Sequence, residues 1–429
     1  MKLYKYPVES EWPALQRRPE MDVSELFATV QTVLDDVKRD GDAAVRHYGS
    51  KFDKVDIADF QVTPEEIREA ETILSDELKN AILTAHANIE QFHAAQASAE
   101  IKVETMPGVT CWQKPVAIEK VGLYIPGGSA PLFSTVLMLA VPAHLAGCKE
   151  IILCTPPDKA GKVHPAILFA ARVSGVDKVF KIGGIQAIAA MSYGTESVPK
   201  VYKIAGPGNQ YVTAAKQLVS LKDVAIDMPA GPSEVEIIAD ESANPEFIAS
   251  DFLSQAEHGA DSQSILLTNS VDLADAVVPE IERQLNNLPR KELTAKSLEH
   301  SRVIVLKDIQ EIIRFTNAYA PEHLIIHTVD YASMKEEIRN AGSVFLGAYT
   351  PESAGDYASG TNHTLPTKGY ARMYSGVNLD TFVKKITFQE ITPDGLRRLG
   401  PTIEILAANE QLEAHKNAVT VRLKDLEMR

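Results

Sequence analysis

Val121-Gly-Leu-Tyr-Ile-Pro-Gly-Gly-Ser-Ala-Pro131 is a short apolar run broken by two glycines and followed by a helical pattern, the signature of a buried strand that turns tightly into a helix. The alternation recurs at Ile151 to Cys154 before a helix from His164, at Val179 to Ile182 before a helix through Ala190, and at Val201 to Ile204 before a helix through Leu218. Strands alternating with helices predict a mostly parallel sheet with right-handed crossovers. A second series repeats the pattern: Val235 to Ile238, Ile265 to Leu267, Val303 to Leu306, Leu324 to Ile326 and Val344 to Leu346. The expected fold class is therefore α/β, with two parallel-sheet modules joined near Ser233.

Ahead of these modules, residues 22–110 read as helical. Val23, Leu26, Phe27, Val30, Val33, Leu34 and Val37 form a stripe with helical spacing, closed by Asp40-Gly41. Thr63-Pro64-Glu65-Glu66 is a capping box with proline at the first helical position, so another helix starts there. Leu78, Ile82, Ala85, Ile89 and Phe92 make a further stripe. The region carries little visible chemistry and reads as scaffold.

At 429 residues the chain is long enough for about two to three domains. The balance of 43 Lys+Arg against 58 Asp+Glu gives a net charge of -15, and no basic run of five or more residues occurs. Nucleic acid and anionic membrane surfaces are therefore poor partners. No apolar run reaches membrane-spanning length and the first twenty residues lack a signal-peptide core, so a cytoplasmic enzyme is expected. Cys111, Cys148 and Cys154 show no CxxC spacing, which argues against a disulfide framework or a cysteine zinc site. Cys154 reads as a buried strand thiol.

Open α/β sheets bind ligands beyond the carboxyl ends of their strands, which directs attention to the loops there. Tyr124-Ile-Pro-Gly-Gly-Ser-Ala-Pro131, Lys181-Ile-Gly-Gly-Ile-Gln186 and Ala205-Gly-Pro-Gly-Asn209 are glycine-bearing loops at successive strand ends, where bare backbone can approach a phosphate or dinucleotide. None is a GxGxxG fingerprint in its required context. Asp227-Met-Pro-Ala-Gly-Pro-Ser-Glu234 is a fourth loop at the module junction, and a cleft there would bring Ser233 within reach of a ligand.

Polar residues with site chemistry cluster later in the chain. In Leu253-Ser-Gln-Ala-Glu-His-Gly-Ala-Asp261, Gln255 and His258 are three apart at a helix end and could aim an amide oxygen and an imidazole nitrogen at one metal ion, although two ligands do not complete a zinc site. Ala320-Pro-Glu-His323 places a carboxylate beside an imidazole at a loop-to-strand boundary, which suits acid and base work. The run Pro351 to His363 reads as a small-residue loop too polar for a core, with Asp356 a candidate oxygen ligand. His415 lies on a helical C-terminal segment, five residues after Glu410.

Tyr-Ile-Pro-Gly-Gly at 124, Ala-Gly-Pro-Gly-Asn at 205, Pro-Ala-Gly-Pro-Ser-Glu at 229, Ser-Gln-Ala-Glu-His-Gly at 254, Ala-Pro-Glu-His at 320 and Gly-Asp-Tyr-Ala-Ser-Gly-Thr-Asn-His at 355 together resemble the histidinol dehydrogenase family, in the family's order and without departure in any motif. The resemblance implies oxidation of L-histidinol to L-histidine in two NAD-dependent steps through L-histidinaldehyde. It implies one zinc ion per subunit held by Gln255, His258, Asp356 and His415, the last reaching across from the partner of an intertwined homodimer. Tyr124, Gln186 and Asn209 would contact NAD. Ser233, His323 and Glu410 would contact substrate alongside the zinc ligands, and Glu322 and His323 would be the acid-base pair. The implied fold is two incomplete Rossmann-like modules with a helical N-terminal region and a small C-terminal segment. Its expected division is an N-terminal segment 1–22, an α/β domain of 23–120 and 236–376 carrying most zinc and catalytic residues, an NAD-binding domain 121–235, and a segment 377–429 reaching the partner.

Two other readings use parts of the same residues. A zinc hydrolase would employ the Gln, His and Asp ligands with a glutamate to activate water, but leaves the glycine loops without a role. A non-catalytic nucleotide-binding protein would use the loops and leave Glu322-His323 unexplained.

Overall fold

A computed structural model describes residues 1–19, 24–127, 130–228 and 231–428; Val23 of the first stripe lies outside them. The chain separates into two compact units, residues 1–96 with 118–382, and residues 97–117 with 383–429.

The first unit holds two parallel sheets. Across the five-stranded sheet the strands run Lys178–Lys181, Glu150–Thr155, Lys120–Tyr124, Lys203–Ala205, Ala225–Ile226. In chain order this is the doubly wound sequence third, second, first, fourth, fifth, a Rossmann sheet lacking its sixth strand. The other sheet runs Lys2–Lys5, Arg302–Val305, Gln263–Thr268, Glu234–Ala239, His323–His327, Ser343–Leu346, all parallel. Its last five strands repeat the same order, and Lys2–Lys5 adds an edge strand. Strands such as Ile151 to Cys154 and Ile265 to Leu267 read as unbroken apolar runs because helices cover both faces of a parallel sheet.

The N-terminal helices pack on the five-stranded sheet. Phe27–Asp40 turns Val30, Val33, Leu34 and Val37 into a core shared with Ile188, Ile204 and Val212. Pro64–Ile73 carries the expected capping box, Thr63 accepting from the Glu66 N–H while Glu66 accepts from the Thr63 N–H. Asp76–Ala94 buries Ile82, Ala85 and Ile89 against the helix Phe133–Ala146. These apolar faces cover the five-stranded sheet. Phe92 is exposed and His93 takes the buried position, its Nδ1 2.9 Å from the Ile89 carbonyl.

The helical reading fails beyond Ala94. Ile101–Met106 and Val109–Ala117 are strands, and with Val383–Ile391 they form the antiparallel sheet of the second unit. Two helices, Pro393–Asn409 and Glu413–Met428, pack on each other in that unit. Gly395 is required where its helix meets the hairpin: a Cβ there would come within 2.3 Å of the Gly108 carbonyl oxygen. Among the described residues no helix is long and apolar enough to cross a membrane.

Candidate active site

Glu322 and His323 stand at the amino end of the strand His323–His327, beside Glu234 at the amino end of Glu234–Ala239. This is the amino end of the sheet, opposite to the carboxyl ends where the glycine loops of the five-stranded sheet lie. The turn into Glu322 is tight: Ala320 caps the helix Ile309–Tyr319 in the left-handed region (φ +55°). Arg18 braces it, donating Nη2 to the carbonyls of Tyr319 and Ala320 and Nε to the Glu234 carboxylate, with its guanidinium 3.8 Å from the centre of the Tyr319 ring. The Glu234 N–H in turn donates to Glu322 Oε2 at 2.9 Å.

His323 is buried among carboxylates. Its Nδ1 lies 3.3 Å from the Glu234 carbonyl, 3.6 Å from Glu322 and 3.5 Å from Glu352, while Nε2 is 3.5 Å from Asp356 Oδ1 and otherwise without a partner. Burial disfavours the imidazolium, but Glu352, Glu322 and Asp356 outweigh it, and the His323 pKa is pushed up to about 10. Burial also raises Glu322 to about 8 and Glu352 to about 8, with His323 pulling the other way. A divalent cation beside Asp356 would reverse much of this, favouring ionised carboxylates and a neutral imidazole.

Gln255 closes the helix Pro245–Ala256, which ends two residues before His258. His258 therefore lies just past the helix rather than on its face, tied back by its N–H to the Gln255 carbonyl. The Gln255 side chain is fully buried, yet neither its amide oxygen nor its nitrogen has a partner. His258 Nε2 is 3.9 Å from Asp356 Oδ2. His258, Glu352 and Asp356 offer one donor atom each, all within 4.8 Å of one another. Imidazole nitrogen, carboxylate oxygens and an orphaned buried amide suit a divalent ion such as zinc.

Glu352 was not singled out from the sequence, although it sits four residues before Asp356 on the short helix Glu352–Tyr357 and so shares its face. The stretch 351–363, expected as exposed loop, buries Glu352, Gly355, Asp356, Gly360 and Asn362. His363 was also missed. Its Nδ1 lies 2.8 Å from the Asp356 carbonyl and its Nε2 3.1 Å from Thr135 Oγ1. The neighbouring Asn362 explains a proline inside a buried helix. Pro142 has no N–H to offer the Met138 carbonyl, and Asn362 Nδ2 donates to that oxygen at 2.6 Å. These two contacts tie the Asp356 segment to the helix Phe133–Ala146 of the first module.

Along the carboxyl edge of the five-stranded sheet, the buried Tyr124 hydroxyl accepts from the Gly184 N–H at 2.9 Å. Gln186 is fully buried; its Nε2 donates to Asp53 and its Oε1 has no partner. Asn209 caps the helix Gln210–Ser220, accepting from the N–H groups of Tyr211 and Val212. Gly206 crosses the switch point with φ +133°, and a Cβ there would lie 2.1 Å from the Tyr124 carbonyl oxygen. The buried pair of Lys216 and Asp227 fixes it: Asp227 accepts the Gly206 N–H and Lys216 donates to the Gly206 carbonyl. Ser233 is half-buried immediately before Glu234. Thus Glu322, His323, His258 and Asp356 come together, whereas Glu410 and His415 lie exposed in the second unit.

The sequence model of the family described as histidinol dehydrogenase matches residues 16–423. The histidinol dehydrogenase of Bacteroides thetaiotaomicron is 66% identical over 426 residues, covering 99% of this chain and 100% of that protein. That of Escherichia coli is 55% identical over 415 residues, covering 96% and 95%. The crystal structure of histidinol dehydrogenase from Elizabethkingia anophelis superposes with a TM-score of 0.98 at 55% identity, covering 100% of this chain and 99% of that one.

Proposed function

The chain belongs to the histidinol dehydrogenase family, NAD-dependent oxidoreductases of the last steps of histidine biosynthesis, and we propose that it oxidises L-histidinol through L-histidinaldehyde to L-histidine with two NAD and one zinc ion per subunit. The observation that carries this reading is a buried imidazole flanked by Glu322, Glu352 and Asp356, in a chain that also groups His258, Glu352 and Asp356 as metal donors and leaves the buried Gln255 amide without a partner.

Gln255, His258 and Asp356 would hold zinc, with His415 of a partner subunit as the fourth ligand. Zinc, when bound, supplies a Lewis-acidic anchor for the imidazole and amine nitrogens of histidinol. NAD, held by Tyr124, Gln186 and Asn209, supplies the hydride acceptor for each oxidation. The chain's own groups do the rest. With its proton on Nδ1, facing Glu352 and the Glu234 carbonyl, His323 has Nε2 available to take the alcohol proton as the carbon is oxidised. Glu322, oriented by the Glu234 N–H, then takes a proton from the water that adds to the aldehyde. Ser233 and Glu410 would orient the substrate. Holding these groups in one buried cluster lowers the entropic cost of reaching the reactive geometry.

A partner subunit is supported by the second unit, whose helix Pro393–Asn409 leaves Ile405 and Leu406 more than half exposed. We place the enzyme in the cytoplasm, in keeping with a biosynthetic family and with no helix among the described residues long and apolar enough to cross a membrane. The shared site is tested by mixing inactive His415→Ala and His258→Ala subunits. Mixed dimers contain one site free of both substitutions and are expected to recover about a quarter of native activity, following statistical reassortment of the closed symmetric pair. No recovery despite proven exchange would contradict a site built from two subunits.

A further inference from the structure

The loops after the first three strands of the five-stranded sheet converge on Pro156. A Cβ on Gly127, after Lys120–Tyr124, would lie 2.3 Å from Pro156 Cγ, and one on Gly183, after Lys178–Lys181, would lie 2.6 Å from Pro156 Cβ. Into this convergence comes a residue from outside the sheet. Asp53 ends the short helical turn Gly49–Asp53 of the N-terminal region; its Oδ2 accepts from Gln186 Nε2 at 3.1 Å, and its Oδ1 lies 3.2 Å from where a Gly183 Cβ would stand. Gln186 Oε1 stays buried and unpartnered beside it.

In doubly wound dinucleotide folds, an acid at the end of the second strand hydrogen-bonds the adenosine ribose. The second strand here is Glu150–Thr155, and it runs into Pro156-Pro157. The next acid, Asp158, folds into its own turn, Oδ1 accepting from the N–H groups of Ala160 and Lys162. The customary position therefore offers no carboxylate to a nucleotide. Asp53 supplies one at the same end of the same strands, half-buried and held by a residue of the proposed NAD site.

We propose that Asp53 is the specificity-determining residue of the dinucleotide site, its carboxylate accepting the adenosine ribose hydroxyls and repelling a 2′-phosphate, so that the enzyme takes NAD and rejects NADP. The inference rests on the dehydrogenase reading with NAD at Tyr124 and Gln186. Its physical basis is that a carboxylate facing a second anion is repelled, whereas two ribose hydroxyls donate to it.

The test compares wild type with Asp53→Asn, which removes the charge and keeps an oxygen to accept from Gln186. With metal loaded and L-histidinol saturating, the KM for NAD is expected to rise about tenfold or more while kcat stays within about twofold, and the ratio of kcat/KM for NADP to that for NAD should rise at least about tenfold. An unchanged ratio would overturn the proposal. A second measurement needs no variant: 5′-AMP should compete with NAD on wild type at least about tenfold more tightly than 2′,5′-ADP, and equal inhibition would overturn it too. Wild-type protein that reduces neither nucleotide would instead overturn the dehydrogenase reading beneath it, a failure visible before any substitution is made.

Discussion

Glu322→Gln is expected to slow oxidation of the aldehyde by about a hundred- to ten-thousand-fold while slowing the alcohol step far less. The substitution keeps the shape of the side chain, and the amide oxygen can still accept the Glu234 N–H that now holds Glu322 Oε2. What it removes is a buried carboxylate that can take a proton from water. His323, which the account assigns to the alcohol proton, remains between Glu352 and Asp356. Rapid mixing with L-histidinol and NAD should therefore show close to one NADH per site in a fast phase, followed by a slow one. Feeding L-histidinaldehyde directly should show the slow phase alone. Equal slowing of both steps would mean that Glu322 serves the whole site, through the charge or position of His323, and the division of labour would fall.

His258→Ala has the second large effect. Losing even an outer-shell partner of a metal ligand commonly weakens binding by about ten- to a hundredfold, so loss of a ligand is expected to weaken zinc by at least about a hundredfold and to take activity with it. The fold should tolerate the change, because His258 lies past the end of its helix with one edge open to solvent and outside the apolar cores. Atomic absorption after dialysis against a weak chelator reads zinc directly, and a thermal melt at matched zinc occupancy separates metal loss from unfolding. A variant that keeps stoichiometric zinc and full turnover would remove His258 from the site. Glu352→Gln beside it discriminates further. Its carboxylate lies within 4.8 Å of the His258 and Asp356 donors, so undiminished zinc with reduced turnover assigns it to orienting His323.

Much of the fold was legible because both parallel sheets are covered on both faces, which turns each strand into an unbroken apolar run bounded by glycine, proline or polar loops. The hairpin was missed for the opposite reason. Ile101-Lys-Val-Glu-Thr-Met106 is a mostly exposed strand, and its alternation of period two was the signal that should have closed the helical reading. Lys2–Lys5 gave no such signal: four residues at a sheet edge owe their conformation to pairing with Arg302–Val305. In the site, Glu322-His323 and Asp356 stood out as chemistry. Glu352 did not, because a carboxylate in a run of small polar residues reads as solvent-facing until the helix Glu352–Tyr357 is seen to bring it 3.5 Å from His323. The amino-end location of Glu322 and His323 was hidden by the usual carboxyl-end rule, and only the register of His323 against Val235 exposes it.

The most direct test of the account is the stoichiometry of NADH formed per L-histidinol consumed, followed by absorbance on the purified protein before metal removal, after it, and after zinc is restored. Two NADH per histidinol are expected, lost on stripping and regained with zinc. One NADH per histidinol would show that the aldehyde leaves before Glu322 acts, and none with metal loaded would contradict the dehydrogenase reading.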